Sequence, residues 1–269
     1  MKCIMKIKLG IAPIAWSNDD MPELGGTTSV EQCIQEAKKA GYSGIELGGK
    51  FPRNPNIVKY LLDFYKIKMP GGWYGSKLRE RSVEAEWKIM QDQISLLKLV
   101  NASVFVFADV SGSIQSVKSR RLSSRPKLKK NEWSGFCKKI SEISKRLDDV
   151  GLPISYHPHM GTIIQNEDDI DRLLNYTNNK TNLLFDTGHL MFANADYNII
   201  LNKYIERVNH VHCKDIRKNI LNIAIKKNLS FPNAFLKGIF TVPGDGCINY
   251  KPIFETLKKN KYKKWLVVE

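Results

Sequence analysis

Short apolar runs alternate with longer stretches of helical spacing along almost the whole chain, and this restricts the fold more than any other feature. Apolar runs at 4–13, 43–47, 67–74, 103–109, 152–157, 182–186, 207–213 and 265–269 read as eight strands. Amphipathic stretches at 29–40, 54–65, 81–100, 132–150, 167–176, 197–204 and 250–259 read as seven helices. The first helix is opened by a capping box at 28–31 and closed by Gly41, and Asn166 caps the fifth. Strict βα alternation predicts an α/β fold, a (β/α)8 barrel. A doubly wound sheet is the rival, but no GxGxxG follows the first strand. No linker interrupts residues 1–269, so one domain is expected. Residues 110–130, rich in Ser, Arg and Lys, read as a surface excursion. The chain stops at the end of strand eight, which leaves that strand without a covering C-terminal helix.

Forty-two Lys and Arg against 27 Asp and Glu give a formal charge of +15, which points toward nucleic acid. The dense basic runs, 118–130 and 258–264, do not interleave aromatics in the manner of a single-strand binding platform, so solvated helix faces are the expectation and nucleic acid is not. No run approaches the apolar length of a membrane span, and the N-terminus alternates Lys with apolar residues like a strand rather than a secretory signal. Five scattered cysteines without CxxC spacing fit neither a disulfide framework nor a zinc knot, so a cytoplasmic location is expected.

All five histidines fall in YHPHMGT (156–162), DTGH (186–189) and HVHCKD (210–215), each at the end of a strand or just beyond it. In an eight-fold barrel that end carries the active site, so chain-distant residues converge there. His157 with His159, and His210 with His212, have the spacing to face one cavity. Asp186, Asp215 and Glu269 stand beside them. A mixed imidazole and carboxylate shell suits Mn²⁺, Co²⁺ or Zn²⁺. Glu46 on strand two reads as a packing or ion-pair residue. Lys50 and Arg53 lie in a shaped Gly- and Pro-flanked loop and are candidate substrate contacts; Trp16 offers an apolar wall for a sugar ring.

The segments at 11–26 (IAPIAWSNDDMPELGG), 41–54 (GYSGIELGGKFPRN) and 183–193 (LLFDTGHLMFA), with YHPHMGT, VNHVHCKD and FTVPGDG, resemble the inosose dehydratase family of the xylose-isomerase-like barrels. The similarity runs from Lys8 to Glu269. It implies removal of water from the cyclic polyol ketone 2-keto-myo-inositol, with Mn²⁺ or Co²⁺, and with glutathione as a further cofactor. It also implies metal ligands at the ends of strands five to eight: His157, Asp186, His212 and Glu269. His189 becomes a catalytic or substrate contact and His159 an acid or base; Glu269 joins them in catalysis. Lys50, Arg53, Trp16 and Lys214 become substrate contacts. Related epimerases carry Glu at the strand-five position. An eliminase needs one base and one acid where an epimerase needs two bases, which fits His157 there. A small-molecule partner is implied, with room for a homo-oligomer. The family continues past the strand-eight Glu into a closing helix. Here Glu269 is the last residue, so several hundred Å² of apolar surface, on the order of 10 kcal/mol, is expected to lack cover. A ketose epimerase or isomerase and a truncated inactive homologue are therefore the other readings.

Overall fold

The computed structural model describes residues 7–269. Eight strands form one parallel sheet: β1 (Lys8–Ile11), β2 (Gly44–Ile45), β3 (Trp73–Ser76), β4 (Phe105–Asp109), β5 (Ile154–Tyr156), β6 (Asn182–Asp186), β7 (Val208–Cys213) and, after a small hairpin, β10 (Trp265–Val268). Their spatial order is β2-β1-β10-β7-β6-β5-β4-β3. Parallel bridges from Gly44 to Lys68 and from Leu47 to Gly72 join the two ends, so the sheet closes into the expected barrel. The hairpin pairs β8 (Asp215–Ile216) with β9 (Phe240–Thr241) at the barrel mouth.

The expected first strand covers residues 4–13; 4–6 and Cys3 lie outside the described residues. The third strand is shifted from 67–74 to 73–76. Pro70 has no N–H to give, and the run before Trp73 joins its neighbour only through the two bridges.

Around the sheet run α1 (Val30–Lys39), α2 (Pro55–Tyr65), α3 (Val83–Leu99), α4 (Trp133–Asp149), α5 (Glu167–Tyr176), α6 (Thr187–Phe192), α7 (Tyr197–Tyr204), α8 (Lys218–Lys226), α9 (Phe231–Leu236) and α10 (Tyr250–Lys259). The side chain of Ser29, the second residue of the expected capping box, caps α1 by accepting from Gln32 N. Asn166 and Asp169 form a reciprocal capping box on α5.

The two faces of the sheet part the side chains. Phe105, Phe107, Tyr156, Leu183, Phe185, Val211 and Leu266 point outward into the main core beneath the helices. Their neighbours one residue away, Val106, Leu184 and Val267, fill the lumen in smaller clusters. Trp265 plugs it lower down: its indole donates to Ser103 Oγ at 3.1 Å, and a Cβ on Gly44 would sit 2.7 Å from its ring, so only glycine fits there.

Residues 110–130 are mostly exposed, and the segment is anchored at a few points. The buried Arg125 guanidinium reaches Asp169 Oδ2 at 2.6 Å and the carbonyls of Thr162 and Ile163 at 3.1 Å. Ser116 and Gln115 both donate to Asp20, tying this segment to the loop after β1. A charged side chain buried by its partners, and not an apolar stripe, fixes the segment.

Candidate metal centre

Residues two apart on a strand share a face, so His157, Asp186, His212 and Glu269 continue the inward rows above Ser155, Leu184, His210 and Val267. The register puts Asp186 beside His212 and Val267 beside His212, which brings the three strand ends level. His157 is set by its N–H to Phe107 O at 2.8 Å, and Glu269 by its N–H to Cys213 O at 3.2 Å.

Asp186 divides its oxygens. Oδ1 accepts the His189 N–H at 2.8 Å and so caps α6. Oδ2 lies 3.5 Å from His157 Nε2, 3.6 Å from His212 Nδ1 and 3.8 Å from Lys214 Nζ. His212 Nδ1 is also 2.5 Å from Glu269 Oε2, while the other Glu269 oxygen meets Lys214 Nζ at 2.8 Å. Among the described residues, His157 Nε2, Asp186 Oδ2, His212 Nδ1 and Glu269 Oε2 are all buried and have no aligned hydrogen-bond partner. Buried nitrogen and oxygen atoms this close call for a proton or a cation shared between them. Among the described residues, three donor groups are of the size that holds an ion: Asp186, His212 and Glu269; His157, Asp186 and His189; and Glu46, His210 and His212, with Asp186 and His212 each in two of them. Two imidazoles and two carboxylates fit a divalent transition ion.

Electrostatics support the same reading. Burial opposes ionisation of Asp186, but the Lys214 charge, with the imidazoles around it, holds it well below the usual carboxylate range. Burial likewise works against Glu269, yet Lys214 and His212 bring its carboxyl down to about 2. His212 resists burial through Glu46 and Glu269 and stays charged well above its ordinary range in the metal-free protein. Lys214 is pushed down by burial but raised on balance by Glu269 and Asp186. Burial lowers His157, and it brings His159 down to about 4 with help from the His157 charge. His159 Nδ1 is 3.0 Å from Met160 O, which can only accept, so the proton sits on Nδ1 and the lone pair on Nε2.

The centre opens into a cavity of about 110 Å³ walled by Pro13, Asp19, Asp20, Trp73, Gln115 and His159, with Glu46 at its base. His189 lies behind, its ring 4.1 Å from that of His159 and its Nε2 3.3 Å from Lys214 Nζ. Trp16 walls an adjoining groove that shares Lys214 and Glu269, and its indole donates to Glu36. Two expected substrate contacts are turned elsewhere. Lys50 donates to the carbonyls of Gly25, Gly26 and Thr28 and thereby shapes the loop after β1. Arg53 lies beside Gly48 O at 3.5 Å and Asp19, outside the cavity lining. In both cases carbonyls left bare by a Gly-rich loop capture the cation.

The sequence profile of the xylose isomerase-like TIM barrel matches residues 34–269. The chain belongs to that family. This xylose isomerase-like barrel is 42% identical to the rhizopine catabolism protein MocC of Rhizobium meliloti, over 99% of this chain and 82% of MocC. It is 40% identical to the inosose dehydratase of Geobacillus thermodenitrificans, over 98% of this chain and 89% of that enzyme. A crystal structure of the IOLI protein with a bound zinc atom superposes with a TM-score of 0.69 at 14% identity, covering 98% and 88% of the two chains.

Sequence reasoning missed three parts of the barrel mouth. Glu46 was read as a packing or ion-pair residue without a partner; it is buried against His210 Nε2 at 2.7 Å and His212 Nε2 at 3.2 Å. The hint was its place as the carboxylate of SGIEL, one residue beyond β2. Trp73, in contact with the His157 and His159 rings, and Gln115 carried no signal at the sequence level.

Proposed function

We propose that this chain dehydrates 2-keto-myo-inositol, with Mn²⁺ or Co²⁺ held by His157, Asp186, His212 and Glu269. The unpaired inward lone pairs of those four side chains carry the metal reading. Similarity to inosose dehydratases over nearly the full chain supports the substrate. A divalent ion there supplies a Lewis acid for the keto oxygen.

The remaining work belongs to the protein. His159, neutral and with Nε2 unprotonated, takes the proton next to the ketone. The resemblance leaves His159 as an acid or a base, and burial keeps both His159 and His189 neutral. Lys214 remains charged beside Glu269 and gives its proton to the departing hydroxyl. Glu269 thus serves the ion through one oxygen and the ammonium through the other. His189 accepts from Lys214 and fixes its direction. Trp73 and Trp16 supply the apolar walls, and Asp20 with Gln115 faces the ring hydroxyls. The buried free thiols of Cys33, Cys137 and Cys213 suit a reducing cytoplasm.

The test strips the protein of metal and offers it 2-keto-myo-inositol, following loss of water by mass. Dehydration should return with Mn²⁺ or Co²⁺, and His212→Ala should abolish both metal binding and turnover. Water loss without metal overturns the scheme, and isomerisation of ketoses without water loss assigns the chain to the epimerases.

A further inference from the structure

We infer that Glu46, at the end of β2, is the positioning residue that sets the tautomer and ring plane of His212 and so directs its Nδ1 lone pair to the metal centre. This rests on the metal reading above and adds a residue to it. Glu46 Oε2 lies 3.2 Å from His212 Nε2 but is not aligned with it as a hydrogen bond in the metal-free protein; because a carboxylate only accepts, closing that contact places the proton on Nε2. The ring then has one lone pair left, on Nδ1, the atom that faces Glu269 and Asp186. Ligating imidazoles are commonly oriented by a carboxylate on their far nitrogen in this way.

His210 makes the support rigid. It sits two residues earlier on β7 with its ring 5.3 Å from that of His212, and its Nε2 meets the other Glu46 oxygen at 2.7 Å. Rotating the carboxylate toward either ring would break the contact to the other. The backbone is fixed as well, since the Glu46 N–H donates to Ile11 O at 3.1 Å. β1 and β10 stand between β2 and β7 in the sheet, so the side chain reaches its partners through the lumen, where it is 6% exposed. Glu46, His210 and His212 lie close enough together to share an ion, but with one imidazole facing each oxygen Glu46 is assigned the supporting role and not ligation.

The experiment titrates metal-stripped wild type and Glu46→Gln with Co²⁺, reading the dissociation constant by equilibrium dialysis and the geometry by the visible Co²⁺ spectrum. The melting temperature of each metal-free protein and the ¹⁵N shifts of His212 are recorded alongside. An amide offers one acceptor where the carboxylate offers two, so Co²⁺ binding should weaken about 10- to 100-fold. The Nε2–H tautomer signature of metal-loaded His212 should be lost with it. Should Glu46→Gln fail to fold, His210→Asn keeps the carboxylate but frees one oxygen, and a smaller weakening of the same sign is expected. Unchanged Co²⁺ affinity and spectrum in a folded variant overturn the role of Glu46 alone. A wild-type protein that binds no Co²⁺ overturns the metal reading with it. Binding of a second Co²⁺ that vanishes in Glu46→Gln makes Glu46 a ligand and also refutes the proposal.

Discussion

Glu269→Gln in the metal-free protein isolates the charge balance at the barrel mouth. Glu269 is an ordinary glutamate in the unfolded chain, with a pKa near 4.5, and is brought to about 2 in the fold by Lys214 and His212. A tenfold change in acidity is about 1.4 kcal/mol, so the ionised carboxylate contributes about 3 kcal/mol to folding at pH 7. A folded pKa below the unfolded one gives stability that is present above pH 4.5 and lost as the pH falls through 2. The cost of Glu269→Gln should therefore shrink from about 3 kcal/mol at pH 7 to about 2 kcal/mol at pH 3.5. His212 has the opposite sign. Its raised pKa stabilises the fold fully below about pH 6.5 and less as the pH rises through the folded value, so metal-free stability should be greatest in mild acid. Urea unfolding across this range, in the presence of a chelator, measures both effects. A penalty for Glu269→Gln that stays constant from pH 7 to pH 3.5 would refute the ion-pair account.

Three other substitutions probe the surroundings. Arg125→Met leaves Asp169 and two carbonyls without their buried partner, and because Asp169 keeps the N–H groups of Gln165 and Asn166, a loss of about 3 kcal/mol is expected in urea unfolding. Lys50→Met should lower stability by about 1.5 kcal/mol while leaving KM for the polyol unchanged, whereas a substrate contact would raise KM at constant stability. Gly188→Ala places a Cβ 2.7 Å from Lys214 Cγ, in a side chain pinned by Glu269; turnover should fall and stability drop by about 1–3 kcal/mol, seen by comparing kcat with the urea midpoint.

The fold was largely legible because burial imposes a period on each element. α5, α7, α10 and β6 keep the bounds read from the sequence. α6 was missed because no loop announces it: Asp186 ends β6 and caps the helix in the same residue. α8 and α9 lie outside the seven helices read from the sequence; both pack into a separate small cluster at the mouth. Within the site, the histidine windows and Asp186 and Glu269 were visible because residue type and strand position agree. The partners of Glu46, Lys50 and Arg53 were not, because a charged side chain beside a Gly-rich loop looks the same whether it meets a substrate, a carbonyl or an imidazole. Only the closure of the barrel tells these apart.

A strand, a helix and a donor atom all share one residue at Asp186. With no slack between them, the carboxylate cannot swing toward a new ligand without releasing the first turn of the helix behind it. Readiness to hold an ion and the integrity of that turn are thus one property, and a change that unwinds the turn disarms the centre without touching any of its other donors.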